Sequence, residues 1–117
     1  MPLANFLMKD FQYLNFNSGI QQGWVLVDYW AEWCQACLAF MPELESLENE
    51  MGEIVSFAKV NVGDNQIIAR EQKVRNIPSL ILYYNGKEIH RFAENYSIEL
   101  IKKNINQIIE KHDITRN

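Results

Sequence analysis

Two cysteines stand three residues apart, at Cys34 and Cys37, directly after the run Trp24-Val-Leu-Val-Asp-Tyr-Trp30, and the chain has no others. That run is short, rich in β-branched and aromatic residues, and apolar on both alternating faces, as a central strand covered on both sides must be. Behind it Cys37, Met41, Leu44, Leu47 and Met51 recur at steps of three and four, the spacing of a helix with one buried stripe. The pair therefore belongs to a strand-to-helix junction. Glu43, Glu45, Glu48, Glu50 and Glu53 read as the solvated side of that helix and its end. Pro42 lacks a backbone donor and crowds the carbonyl of Leu38, which predicts a kink one turn after the cysteines. Gly52 stops the helix.

The same reading continues in both directions. A second buried strand is predicted over 54–62, and Asp64-Asn65 opens a short helix through Ile67, Ile68 and Arg70 toward Val74. A strand over 79–84 meets Asn85-Gly86, a two-residue hairpin signal, and the chain returns antiparallel over 87–93. Ser97 is the predicted N-cap of a last helix with Ile98, Ile101, Ile105, Ile108 and Ile109 on one face. Ahead of Trp24, a strand is expected between Phe6 and Leu14 and a short helix around 16–22. With 117 residues, 48% of them apolar, and no linker or repeat, the chain reads as one α/β domain over 1–117.

Charge removes some functions. The net charge is −4 and the eleven Lys and Arg are scattered, so no basic stripe is present to neutralise nucleic-acid phosphates. No stretch reaches the length of a membrane span, and the N-terminus lacks a charged, then apolar, leader pattern. The expectation is a soluble, cytoplasmic protein without nucleic-acid or membrane partners.

The cysteine pair has three readings. A structural zinc site needs four ligands, and the other candidates, His90 and His112, fall on a predicted strand and near the C-terminus; zinc shared between two chains is what survives of that reading. A structural disulfide across so small a loop constrains little of the unfolded chain. A redox pair fits best, because a helix N-terminus presents unpaired N–H groups and positive dipole character that favour thiolate over thiol. On that reading Cys34 attacks, and Cys37, one turn further in and buried, displaces the mixed disulfide.

From Trp24 to about Asn106 these residues resemble the thioredoxin family: VLVDYWAEWCQAC resembles its strand and active-site stretch, Asn76-Ile77-Pro78-Ser79 its cis-proline loop, and Asn85-Gly86 its hairpin. The resemblance implies a thioredoxin fold, a central mixed β-sheet flanked by helices on both faces, and reduction of protein disulfides by dithiol-disulfide exchange. No prosthetic group is required, and the implied electron donor is a flavin-dependent, NADPH-using thioredoxin reductase acting on a monomer. Asp28, mid-strand among apolar residues, loses hydration and is tuned toward its neutral form. The family places a buried acid there as proton acceptor and donor for the resolving thiol, while a hydrogen-bonded core aspartate is the plainer reading. Lys59 matches a lysine that approaches this acid. By the same matching, Pro78 follows a cis bond, Ile77 pairs with an extended substrate strand, and Trp33, Ala36, Val62, Ile77 and Phe92 form the apolar docking surface. Trp30 reads as support for the active-site loop.

The match departs at Gln35-Ala36, where most thioredoxins carry Gly-Pro; a restored backbone donor near the thiolate predicts a somewhat more oxidising pair. Leu38 replaces a basic residue, Gly63 an aspartate and Ala93 a glycine, which predicts a narrower partner set. Two rivals stay open on the residues: an oxidase or isomerase outside the cytoplasm, and a binding module of the same fold whose cysteines idle.

Overall fold

The computed structural model describes residues 8–92 and 97–115, except for the side chain of Thr115. Strands and helices alternate: β1 Lys9–Asp10, α1 Tyr13–Gly19, β2 Trp24–Trp30, α2 Gln35–Met51, β3 Ser56–Asn61, α3 Gln66–Glu71, β4 Ser79–Tyr84, β5 Lys87–Arg91 and α4 Ile98–Thr115. The strands form one mixed sheet in the order β1-β3-β2-β4-β5. β3 runs parallel to β1 and β2, whereas β4 is antiparallel to β2 and to β5.

The double-sided apolarity of β2 follows from what covers it. Val25, Val27 and Tyr29 face Phe16 of α1 and Ile68 of α3, with Phe11 and Ile20 closing the layer. Trp24 and Leu26 face Leu44, Leu47 and Met51 of α2 and Ile101 and Ile105 of α4. Helices thus lie on both faces, and each buried Leu, Ile or Val contributes about 1.5–3 kcal/mol relative to exposure.

Element ends differ from expectation where local hydrogen bonds decide them. β3 begins at Ser56 rather than 54, because the N–H groups of Ile54 and Val55 both turn back to the Met51 carbonyl, at 3.0 and 2.9 Å, leaving Ile54 exposed. α1 starts earlier than 16 because Asn15 Oδ1 accepts the Gln12 N–H at 2.7 Å, fixing a first turn. It ends at Gly19, where a Cβ would collide with the Phe11 ring. β5 stops at Arg91, one residue before the buried Phe92; Ala93 lies outside the described residues. α2 runs through Pro42 as one helix, and the Gly52 N–H closes it on the Glu48 carbonyl at 2.7 Å. Ser97 caps α4, its Oγ accepting the Leu100 N–H at 3.2 Å.

Glu48 is the larger correction. The glutamate series reads as a solvated face, but Glu48 is 3% exposed, and burial together with the nearby Glu45 raises its pKa. It lies next to Leu47 on the flank of the buried stripe, where α2 rolls toward the sheet.

A hydrogen-bonded chain not anticipated from the sequence ties β2 to α3. Tyr83 donates to Gln72 Oε1 at 2.8 Å, so its single proton is committed and Tyr29 donates to the Tyr83 oxygen at 2.7 Å. Burial, first of all, raises the pKa of both phenols. Replacing Tyr83 with Phe leaves the Tyr29 hydroxyl buried without that acceptor, so Tyr83→Phe is expected to lose about 1–3 kcal/mol in urea unfolding. An unchanged unfolding midpoint would contradict the importance assigned to the chain.

Candidate active site

β2 ends at Trp30, and the next residues turn tightly: the Cys34 N–H donates to the Ala31 carbonyl at 3.1 Å, and the Val62 N–H to the Trp30 carbonyl at 2.8 Å. Cys34 then becomes the N-cap of α2, with φ −94° and ψ 101°. Its Sγ accepts the Cys37 backbone N–H at 3.2 Å. A sulfur in the place usually taken by Ser or Asp thereby satisfies one of the orphan donors of the first turn. No acidic residue lies in that turn to offset the positive end of the helix. Cys34 and Cys37 are joined as a disulfide.

The two sulfurs differ in access. Cys34 is 9% exposed and Cys37 only 1%. Ala31, Cys34 and Cys37 form a small cluster packed by Trp30, Val62 and Ile77, which brings five of the residues singled out in the sequence into one place. Trp33 and Ala36 are exposed beside it, Trp33 with 72% of its surface free. Pro78 follows a cis peptide bond from Ile77, and both residues are partly exposed. Phe92 does not join this rim. It is 6% exposed and belongs to the core beneath α2 and α4, packing edge-on against His90.

Asp28 is 2% exposed, and among the described residues neither carboxylate oxygen has a hydrogen-bond partner. Strand alternation puts it on the same face as Leu26, under α2, whose stripe begins at Cys37 and continues through Leu44. Burial pushes its pKa up to about 7, against a smaller lowering by the charge of Lys59, its cross-strand neighbour on β3. The Lys59 ammonium itself lies 5.3 Å from the centroid of the Trp30 ring. Trp30 is partly buried, and its indole N–H has no hydrogen-bond partner.

Among the described residues no group of three or more His, Cys, Asp and Glu is placed to hold a metal ion, and no helix is long and apolar enough to cross a membrane.

A cysteine at a helix N-terminus, more exposed than the partner it is bonded to one turn further in, can open and reform its disulfide by exchange with another. The fold and site thus define a thiol-disulfide oxidoreductase, in which the cysteine pair is the redox centre. The model of the thioredoxin family matches residues 8–107. The thioredoxin of Chlamydia caviae is 42% identical over 93 residues, covering 80% of this chain and 90% of that one. That of Chlamydia pneumoniae is 39% identical over the same shares of each chain, and that of Staphylococcus saprophyticus is 34% identical over 98 residues, 84% of this chain and 90% of its own. The chain belongs to the thioredoxin family.

Proposed function

We propose that the protein reduces disulfides in other proteins, with Cys34 as nucleophile and Cys37 as resolving thiol. The observation that carries this is the N-cap geometry: Cys34 Sγ receives an N–H at the positive end of α2 while Cys37 is buried behind it. In the reduced protein the Cys34 thiolate attacks a substrate disulfide, forming an intermolecular S–S bond and releasing one substrate sulfur as a thiolate that takes a proton from water. Asp28, as carboxylate, accepts the proton of Cys37; the Cys37 thiolate then attacks Cys34 Sγ and the second substrate sulfur leaves. That second sulfur also leaves as a thiolate, and the proton held by Asp28 passes to it, directly or by way of water. The substrate thus gains two electrons from the cysteine pair and two protons, one from water and one from Cys37, and the Cys34–Cys37 disulfide remains. The burial of Asp28 and its pKa near 7 support this role, since the group can take up and return a proton at neutral pH.

Trp33, Ala36, Val62 and Ile77 supply the apolar contact for the substrate chain, and the segment Ile77-Pro78 lies alongside it as a partner strand. Lys59 and Trp30 support the acid and the loop. The protein acts as a single-domain monomer over 1–117 in the cytoplasm, a compartment that keeps thiols reduced. Its disulfide is returned to the dithiol by a flavin-dependent, NADPH-using reductase.

An equilibrium redox titration against a thiol buffer, read by alkylation and mass spectrometry, tests the direction of transfer. Ala36 is the second residue of α2 and carries a backbone N–H where the family's usual proline has none, a further donor for a Cys34 thiolate. Stabilising the thiolate makes the pair a better oxidant, so the potential is expected somewhat above the about −270 mV of thioredoxin yet well below the about −120 mV of a dedicated oxidase. A value at the oxidase end overturns the reductase reading.

A further inference from the structure

We propose that the groove beside Cys34 selects protein disulfides flanked by acidic residues. This rests on the reductase reading above and assigns it a substrate class. The groove, about 480 Å³, runs between the active-site loop and the C-terminal turn of α3. Trp33, Val62, Val74 and Ile77 give it apolar walls, and Arg70, Lys73 and Arg75 stand around it. Among the described residues no acid lines it, although the chain as a whole carries 15 acids against 11 Lys and Arg. All three cations are exposed, and among the described residues none of them makes an ion pair. Glu88 feels the charge of Lys73, but its carboxylate is held by the Arg91 guanidinium at 2.9 and 3.1 Å.

The turn that carries the cations is held through its backbone. Arg91 Nη2 donates to the Gln72 carbonyl at 2.6 Å and Nη1 to the Lys73 carbonyl at 3.0 Å, and the Val74 N–H returns to Ala69 at 2.8 Å. Lys73 itself adopts φ 58°, the left-handed conformation that turns the chain out of α3 and toward Ile77. Arg70 in the last turn of the helix, and Lys73 and Arg75 in the turn after it, therefore converge on one opening. An occupant must present a sulfur to Cys34, apolar surface to Trp33 and Ile77, and negative charge to the α3 side. An extended peptide carrying Asp or Glu within a few residues of its cystine meets all three requirements.

The test compares two disulfide-bonded peptides that differ only in flanking residues, three Asp/Glu in one and Asn/Gln in the other, together with the small neutral disulfide of 2-mercaptoethanol. The reduced wild type is expected to favour the acidic peptide about tenfold in kcat/KM at low salt, the product of three exposed contacts worth roughly twofold each. That preference falls to about twofold or less at 0.5 M salt, where screening removes exposed charge contacts. R70Q/K73Q/R75Q is expected to lose the preference at low salt, whereas K87Q/K103Q/K111Q, an equal loss of charge on other surfaces, retains it. Equal rates on both peptides in the wild type, or a preference that persists in the groove variant or vanishes in the remote one, overturns the proposal while reduction of the small disulfide leaves the reductase reading standing. Failure on all three substrates overturns both.

Discussion

Asp28→Asn is expected to stabilise the oxidised protein above neutral pH by an amount on the order of 4 kcal/mol, and not at all below about pH 4. The magnitude follows from a pKa carried from 3.8 to about 7 by burial. Between those values the native state holds a proton that the unfolded chain has released, so wild-type stability falls as pH rises through the interval. Above about 7 the native carboxyl must ionise in a buried site, and the full penalty is present. Asparagine never ionises, so the gain opens across the same window and then levels. Urea unfolding of both proteins at pH 4, 6 and 8 measures it, and a difference independent of pH would show that the carboxyl is not the strained group. The same variant should release mixed disulfides more slowly at neutral pH, because Cys37 loses its proton acceptor while Cys34 is untouched. A rate unchanged from pH 6 to 8 would assign the deprotonation to another group.

The cysteines themselves give the other large effect, and they are expected to fail differently. Cys34→Ser removes the accessible nucleophile at the N-cap and should abolish protein-disulfide reduction, a loss of at least about three orders of magnitude. Serine is itself a good N-cap, so α2 and the fold should persist. Cys37→Ser leaves the attack intact and removes only the exit, so substrate is expected to accumulate on Cys34 as a covalent adduct that mass spectrometry detects and dithiothreitol releases. Adduct formation through position 37 in Cys34→Ser would reverse the proposed roles. Residual turnover equal to wild type in that variant would favour a module that binds partners without exchanging disulfides.

The features legible in the sequence are those dictated by short-range pattern. Trp24–Trp30 reads as a central strand because a short run apolar on both alternating faces needs cover on both sides, and the cysteine helix is legible because its stripe has a clear period. Asp28 stands out for the same reason: a charge inside such a strand is conspicuous. Glu48 is hidden because a helix stripe has soft edges, and which flanking residue becomes buried depends on how α2 rolls against the sheet. Phe92, assigned to the docking surface by matching family positions, packs in the core instead, because such matching does not say which way a residue turns once the strand has ended. Ile54 reads as strand by composition, yet two backbone bonds to Met51 claim that stretch for a turn. The cation-lined groove is the least legible. Arg70, Lys73 and Arg75 fall within six residues, but at a helix end and with Glu71 among them, and only the turn clamped by Arg91 shows that they border one opening.

The ordering of the sheet has a consequence for a protein that handles cysteine-bearing chains in extended form. β2, which leads into the reactive pair, lies between β3 and β4 and has no open side. The outer strands are poor templates for further pairing: β1 is two residues long and both are charged, while β5 carries Lys87, Glu88 and Arg91 beside a register shift in its ladder. On the proposed reading, a client gripped at the Ile77 segment is let go after exchange, with little scope for zipping onto the sheet margins. Repeated contact with unfolded polypeptide then need not seed aggregation.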